Sequence, residues 1–433
     1  MTNKILLVGG GGREDAVARK IVESGSILYS ALKNENPSIM KLSREHLICD
    51  ELDYGRIAGF AAEKGIDLAF VGPDPVLETP LVDILDSNGI RVASPSRDAA
   101  RIETSKAYMR RIVAEHRIDG NIFSELFHKQ DDVEKFLSSE KREFAIKPVG
   151  LTGGKGVKVM GEHLKNRAEA VAYAAEVLSR DGQVLLEERI KGEEFSLQVF
   201  TDGKSVLPAP LAQDYKRAYE NDLGPNTGGM GSITDSDGLL PFISRSTYEK
   251  ALNSIKQTVS AMASENTPFR GIMYGQFMDT ENGPKIIEIN ARFADPESLN
   301  ILSLFRGNFT DVLFSIADGS LKTGADFMKK ATTLKYLVPV GYGTMSKPGT
   351  LRIDGNIETD HLKLYYAAVS GTMTEVRMSG SRALALVGIA DTIPDASDIV
   401  ENSLKYIRGD YSLRHDIGTP AMIGKKMEGF KKA

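Results

Sequence analysis

Over its first hundred residues the chain alternates short apolar runs with amphipathic stretches. Ile5-Leu6-Leu7-Val8 opens the series, and four consecutive apolar residues suit a strand covered on both faces. "EDAVARKIVES" then sets Ala16, Val17, Ile21 and Val22 on one face of a helix. "SILYSALKN", "LAFVGPDP" at 68–75 and "GIRVASP" return to the strand pattern. Strands separated by helices predict a parallel sheet covered on both faces. From Asp98 to about His116 the pattern predicts a connecting helix. "REFAIKPVGLTGGKGVKVM" (142–160) reads as two strands around a Gly-rich turn, and Leu164, Val171, Ala175 and Leu178 as the core stripe of a helix. "QVLLEERIKGEEFSLQVFTDG" returns to strands, with a hairpin at Asp202-Gly203. "QDYKRAYENDLGPNTGGMGS" (213–232) carries too much Gly, Asn and Pro for a packed element and is expected to be a long functional loop. A helix near 246–264 and a hairpin around Asn282-Gly283 follow, and short β segments from about 331 predict a small β-rich C-terminal part.

Composition narrows the function classes. A chain of 433 residues, 41% apolar and 26% charged, is expected to form roughly three globular domains. A net charge of −5 argues against a dedicated nucleic-acid surface, so phosphate binding has to come from local cations. The single cysteine, Cys49, excludes an intrachain disulfide framework and suits a reducing cytoplasm. The apolar run after Met1 is too short for a signal peptide, and no stretch is long enough to span a membrane. The six histidines lack metal-ligand spacing.

Candidate chemistry gathers at strand ends. Gly9 to Gly12 follow the first strand, and "VGPDPVLE" (71–78) follows another, where parallel sheets bind ligands. The run is neither a Walker loop, because Arg13-Glu14 stand in place of Lys-Ser/Thr, nor a dinucleotide fingerprint, because Glu14 stands where its last glycine belongs. On a strand, Glu288, Asn290 and Arg292 share one face while Ile287, Ile289 and Ala291 take the core face. Two oxygen ligands beside a guanidinium suit a magnesium ion on phosphates. Lys147, fixed at the end of "FAIK" by Pro148, is a candidate phosphate ligand, as are Lys106 and Lys155. Gly153, Gly154 and Gly156 let backbone amides cover phosphates. Glu187-Glu188 and Glu194 read by themselves as a solvated strand end, or as the flanks of a hinge that offers backbone groups to adenine and a carboxylate to ribose.

This order of Lys, Gly-rich hairpin, Glu-Glu hinge, Gly-x-Glu and Glu-x-Asn resembles the ATP-grasp fold. "GGREDA", "GPDPVLETPLVD", "SKAYMRR", "GLTGGKGV", "EERIKGEEFSLQV", "QDYKR", "GPNTGGMG", "IIEINARFADPES" and "RHDIG" narrow the resemblance to the phosphoribosylamine–glycine ligase family, from Gly9 to Gly418. The resemblance implies an α/β and α+β multidomain chain. A Rossmann-like N-terminal domain would span 1–100, a linker helix and ATP-grasp lobe A 101–190, lobe B 191–328, and a β-rich C-terminal domain 329–433. It implies ligation of glycine to 5-phosphoribosylamine with ATP and Mg2+ or Mn2+, small-molecule partners only, and a cytoplasmic monomer or homodimer. Lys106, Lys147, Gly153, Gly154, Lys155 and Gly156 would hold ATP phosphates, Glu187, Glu188 and Ile190 the adenine, and Glu194 the ribose. Glu288 and Asn290 would hold the metal, and Arg292, Asp214 and Lys216 would meet the reacting groups. Gly10, Gly11, Gly12, Arg13, Glu14, Gly72, Pro73 and Asp74 would receive phosphoribosylamine. The chain departs from the family at Gly10 (usually Asn), Leu32 to Asn34 (usually Pro-Gly-Asn), Asp15 and Tyr215 (usually His), "KPVG" (usually "KADG") and Ala294 (usually Gly). Since departures fall on the substrate side, a sister ATP-grasp ligase with another amine or acid is the alternative.

Overall fold

The structure, a computed structural model, describes residues 2–151, 156–322 and 325–432. The first apolar run becomes the strand Lys4–Val8, buried from Ile5 onward, at the centre of a five-stranded parallel sheet. Ile27–Leu32 and Leu68–Val71 flank it, with Glu45–Ile48 and Arg91–Val92 outermost. Strand order reverses between Lys4–Val8 and Leu68–Val71, which opens a crevice at their carboxyl ends. Gly9–Gly12 and Gly72–Asp74 leave those two ends side by side. The strand expected over 68–75 stops at Val71, because Pro73 cannot donate to a ladder, and Asp74–Leu77 is a helical turn.

The helix expected over 98–116 is two, Arg97–Thr104 and Lys106–Glu115. Ser105 has extended backbone, and its hydroxyl accepts from Tyr108 N–H at 3.3 Å, so it ends one helix and caps the next. Beyond it, Ser124–Phe127, Phe144–Lys147, Lys158–Val159 and Val184–Glu188 form an antiparallel sheet. This lobe has its own core, including Phe127, Val133, Phe144, Ile146 and Val177. The helix Arg167–Asp181 buries Ala170, Tyr173, Ala174 and Val177. Of the expected stripe, Leu164 is buried in this core, while Val171, Ala175 and Leu178 lie one position from the most buried face and are half-buried, since alanines on several faces of the helix leave its periodicity degenerate.

A second antiparallel sheet joins Val206–Pro208, Glu193–Asp202, Arg270–Thr280 and Gly283–Asn290. Both expected hairpins are present, turning at Gly203 and Gly283 with φ of +88° and +83°. Opposite Gln276 and Phe277 the last strand carries an extra residue, so Gln276 faces Glu288 while Phe277 faces Ile286. This bulge corrects the expected alternation: Ile286 is fully buried and Ile287 only half-buried.

Residues 213–232 are not a structureless loop. Gln213–Asp214 and Gly231–Thr234 join Ala331–Leu337, Leu384–Ala390 and Leu362–Tyr366 in a five-stranded sheet, and Arg217–Tyr219 pairs with Leu223–Asn226 as a hairpin. Gly231 is extended and unbranched because a Cβ there would strike the Leu334 carbonyl of the neighbouring strand. One apolar cluster runs from the first sheet through the second antiparallel sheet to Tyr336, Ala385 and Val387. The C-terminal strands thereby pack against the first domain and the second antiparallel sheet.

Candidate active site

The cleft lies between the two antiparallel sheets. Lys147 ends its strand beneath the Pro148 stop, and its Nζ lies 2.5 Å from Glu187 Oε2. Glu187, 1% exposed, also accepts from Arg110 Nε at 2.8 Å and Nη2 at 3.0 Å. Burial raises its carboxyl, but Arg110 and Lys147 outweigh burial and hold it at about 2. The Glu187 side chain is therefore committed to Lys147 and Arg110. Glu188 takes Phe123 N–H at 3.0 Å, and Ile190 lies half-buried on the segment between Val184–Glu188 and Glu193–Asp202. Lys106 Nζ donates to Gly150 O at 2.9 Å. Burial and then the charge of Lys147 lower its ammonium, against the pull of Glu288. Gly156, with φ +94°, is held by Tyr173, whose hydroxyl donates to its carbonyl. Gly153, Gly154 and Lys155 lie outside the described residues.

Across the cleft, Asn290 Nδ2 donates to Glu288 Oε1 at 3.3 Å, so the two share a face as the alternation predicts. That leaves one carboxylate oxygen and one amide oxygen toward the cleft. Among the described residues no group of three or more His, Cys, Asp or Glu side chains forms a metal cage. Two oxygen ligands fit magnesium, which keeps waters and takes its other ligands from phosphates. Glu194 accepts from Lys216 Nζ at 2.6 Å and Gln276 Nε2 at 2.8 Å.

Deeper in the cleft, Asp214 and Glu297 are buried carboxylates, and the charge of Glu297 acts on Asp214. Burial pushes both up, and each keeps a buried oxygen, Oδ1 and Oε1, without a hydrogen-bond partner among the described residues. Arg292 Nε is buried and unpartnered in the same sense, while its Nη2 meets Glu103 Oε1 at 2.9 Å. Buried polar atoms of both signs without partners near one another call for an explanation. Glu103, 7% exposed, also accepts from Ala291 N–H at 2.7 Å. Burial raises its carboxyl to about 7 despite Arg292. The folded protein then binds that proton more tightly than the unfolded chain, where the group titrates near 4.5. Its contribution to stability is full below pH 4.5 and lost as pH rises to about 7. Glu103→Gln is expected to flatten that part of the pH–stability profile, measured by urea unfolding; identical slopes in both proteins would exclude Glu103 as its source.

The first-domain loops meet this cleft through Arg13, whose Nη1 donates to Phe293 O at 2.9 Å. Arg13 Nε and Gly11 N–H both go to the Glu14 carboxylate, at 2.6 and 2.9 Å. Gly9 (φ +118°) and Gly72 leave room for Glu14, and a Cβ at Gly12 would sit 2.5 Å from the Tyr336 hydroxyl. Only Gly9 of the four glycines needs a positive φ; the others are spared a side chain for close approach. Pro73 precedes the turn Asp74–Leu77, and the Asp74 charge faces Arg292 and Glu103.

Several residues of the site were not singled out from sequence: Arg110 and Glu103, on helices that read as mere linkers, and Tyr336 and Arg382 from the C-terminal part. Glu297 and Asp295 had a signal, as the two extra carboxylates of "FADPE".

Residues 3–103 match the N domain of phosphoribosylglycinamide synthetase and residues 104–298 its ATP-grasp (A) domain. A phosphoribosylamine–glycine ligase of Thermococcus gammatolerans is 46% identical over 432 residues, covering 99% of this chain and 98% of that one. The chain belongs to the phosphoribosylamine–glycine ligase family. The family's Methanothermobacter thermautotrophicus member is 44% identical over 431 residues, covering 98% of each chain. The Thermotoga maritima phosphoribosylamine–glycine ligase structure superposes with a TM-score of 0.80 at 22% identity, covering 95% of this chain and 99% of that one. The biotin carboxylase domain of Hydrogenobacter thermophilus 2-oxoglutarate carboxylase, in complex with MgADP, gives 0.75 at 16% identity, covering 100% and 94%. These two share the ATP-grasp fold.

The departures from the family pattern are accommodated locally. Asp15 is fully buried and takes Ser38 Oγ at 2.6 Å and Tyr366 N–H at 2.8 Å, pinning the first helix to the C-terminal part. At Gly10 a Cβ would collide with the Asn34 amide oxygen, and Asn34 is held by the carbonyls of Ala367 and Val369. Tyr215 alternates with Asp214 and Lys216 and is buried under Arg414, 5.2 Å above its ring.

Proposed function

We propose that the protein joins glycine to the amine of 5-phosphoribosylamine, converting ATP to ADP and phosphate through glycyl phosphate. The observation that carries this reading is the meeting, in one cleft, of a phosphate-binding end and a zwitterion-binding end. Lys106, Lys147 and the 150–156 segment would hold the ATP phosphates, the backbone from Glu188 to Ile190 the adenine, and Glu194 the ribose. Glu288 and Asn290 would hold Mg2+ or Mn2+, which when bound offsets charge on the transferring phosphoryl group. Arg292 would orient the glycine carboxylate toward the γ-phosphorus, while Asp214 and Glu297 accept its ammonium. The pair need not both ionise until that cation arrives, because burial raises both carboxyls. Lys216 would move from Glu194 to the phosphoryl group as ribose hydroxyls replace it. The glycine loops of the first domain, at the crevice of the parallel sheet, would present phosphoribosylamine from the opposite side. Family membership at more than 40% identity over almost the whole chain supports this pair of substrates.

The reading extends to a cytoplasmic enzyme acting on small molecules alone, as a monomer or homodimer. It is supported by the −5 net charge and by the absence, among the described residues, of any helix long and apolar enough to cross a membrane.

ADP release is expected to require glycine, phosphoribosylamine and a divalent ion together, measured by a coupled assay with each omitted in turn. Glycine carrying oxygen-18 in its carboxylate is expected to deliver one labelled oxygen to phosphate. The carboxylate oxygen bonds to phosphorus, and the amine then breaks the bond between carbon and that oxygen. Unlabelled phosphate alongside the amide product would rule out the acyl phosphate, and dependence on a different amine or acid would point to a sister ligase.

A further inference from the structure

The C-terminal part reaches into the substrate end of the cleft with two side chains. Arg382, whose side chain is 15% exposed, donates from Nη1 to Gly228 O and, at 3.1 Å, to Asp295 O. Its Nη2 lies 2.9 Å from Asp295 Oδ2, and its guanidinium lies 4.7 Å from the centre of the Tyr336 ring. The Tyr336 hydroxyl completes the arrangement by donating to Asp295 Oδ1 at 2.8 Å, and Tyr336 N–H donates to Met230 O at 2.9 Å. Both oxygens of Asp295 are thus committed, and the carbonyls of Gly228 and Met230 are held by Arg382, just before the strand Leu384–Ala390, and by Tyr336 on the neighbouring strand.

These contacts bear directly on the zwitterion pocket. Gly229, between the two held carbonyls, has φ +103°, and a Cβ there would come 2.5 Å from Pro296 Cδ and 2.6 Å from Asp214 Oδ1. Asp214, Gly229 and the Asp295–Pro296 turn are therefore in van der Waals contact, and Glu297 is the next residue along. A planar guanidinium that bonds two backbone carbonyls and one carboxylate while lying over a ring fixes direction as well as distance. Lysine at that position supplies charge without the fork.

We propose that Arg382 and Tyr336 are positioning residues: they hold Gly228–Met230 and Asp295 so that Asp214 and Glu297 stand at the spacing that receives the ammonium of the amino acid. This rests on the assignment of that pocket to glycine. ATP contacts come from other elements, so the pair acts on one substrate and not the other. The same tyrosine hydroxyl faces Gly12, which ties the pocket to the first-domain loop.

Steady-state kinetics test this. Arg382→Met is expected to raise the KM for glycine about ten- to a hundredfold, the scale of a lost charge-assisted contact, while the KM for ATP stays within about twofold. Arg382→Lys is expected to recover part of the loss. Tyr336→Phe removes only a hydroxyl and is expected to shift the glycine KM in the same direction by less, which keeps the test open if Arg382→Met does not fold. With a glycine-dependent wild type, variants that lose kcat with an unchanged glycine KM, or that raise both KM values alike, would overturn the inference alone. ADP release by the wild type that is indifferent to glycine would overturn the ligation reading, and the inference with it.

Discussion

Glu288→Gln is expected to lower turnover by about a hundred- to a thousandfold, the scale set by removing one group that stabilises charge in a transition state. The substitution keeps the shape of the side chain and its hydrogen bond from Asn290, which already faces one Glu288 oxygen. It removes the negative charge that would make the other oxygen the proposed metal ligand. The proposed adenine and ribose contacts come from 188–190 and Glu194, so nucleotide affinity should fall far less than kcat. Titration with ADP in the absence of glycine measures binding, and the coupled assay measures turnover. Wild-type turnover in Glu288→Gln would remove this residue from the metal site. A parallel loss of affinity and turnover would make it a general nucleotide contact.

Arg110→Met is expected to destabilise the fold by about 3–5 kcal/mol, the range for removing one partner of a buried ion pair. Arg110 and Glu187 are 3% and 1% exposed, and the same guanidinium donates to Ile286 O and Ile287 O at 3.0 Å each. The bulge at Ile287 presents two successive carbonyls to one donor. The arginine thus joins the strand that ends at Glu188 to the strand that bears Glu288, across the two lobes. Its loss leaves Glu187 buried with Lys147 alone and frees the register of the bulge. Urea unfolding should show the destabilisation, with a rise in the KM for ATP as Lys147 loses its fixed partner. A double variant with Glu187→Leu, which removes the stranded carboxylate, should recover part of the stability and none of the ATP affinity. Additive losses in the double variant would show that the two residues do not act as a pair.

Local chemistry in the chain carried much of this. Ile5 to Val8 had to be a covered strand because four apolar residues in succession leave no polar face. Pro148 after Lys147 ended a strand where a lysine was needed, and Asn282-Gly283 set a hairpin whose second strand bears Glu288 and Asn290 on one side. The motif order from Lys106 to Asn290 pointed to the ATP-grasp fold, and the loop motifs from Gly9 to Gly418 narrowed it to the family. The weaker readings failed for identifiable reasons. An alanine-rich helix blurred the stripe around Val171, and the Gly-, Asn- and Pro-rich stretch 213–232 hid four short strands, of which Gly231–Thr234 pairs with the distant Ala331–Leu337 and Gln213–Asp214 pairs with Gly231–Thr234.

What the sequence by itself determined, then, was the family, the layers of the fold and the residues whose role follows from the strand they end or the motif they belong to. Tertiary structure alone decided which charges meet. Glu187 reads as a solvated strand end until Arg110, 77 positions away, is seen bonded to it. Glu103 reads as a helix surface until it is found against Arg292, and Arg382 belongs to a β-rich tail until its guanidinium reaches Gly228 and Asp295. A side chain's burial and its partners depend on which distant segments fold over it. Periodicity reports only the face it occupies on its own element. The pairs that tune this site are joined through space, and the spacing of residues along the chain carries no record of them.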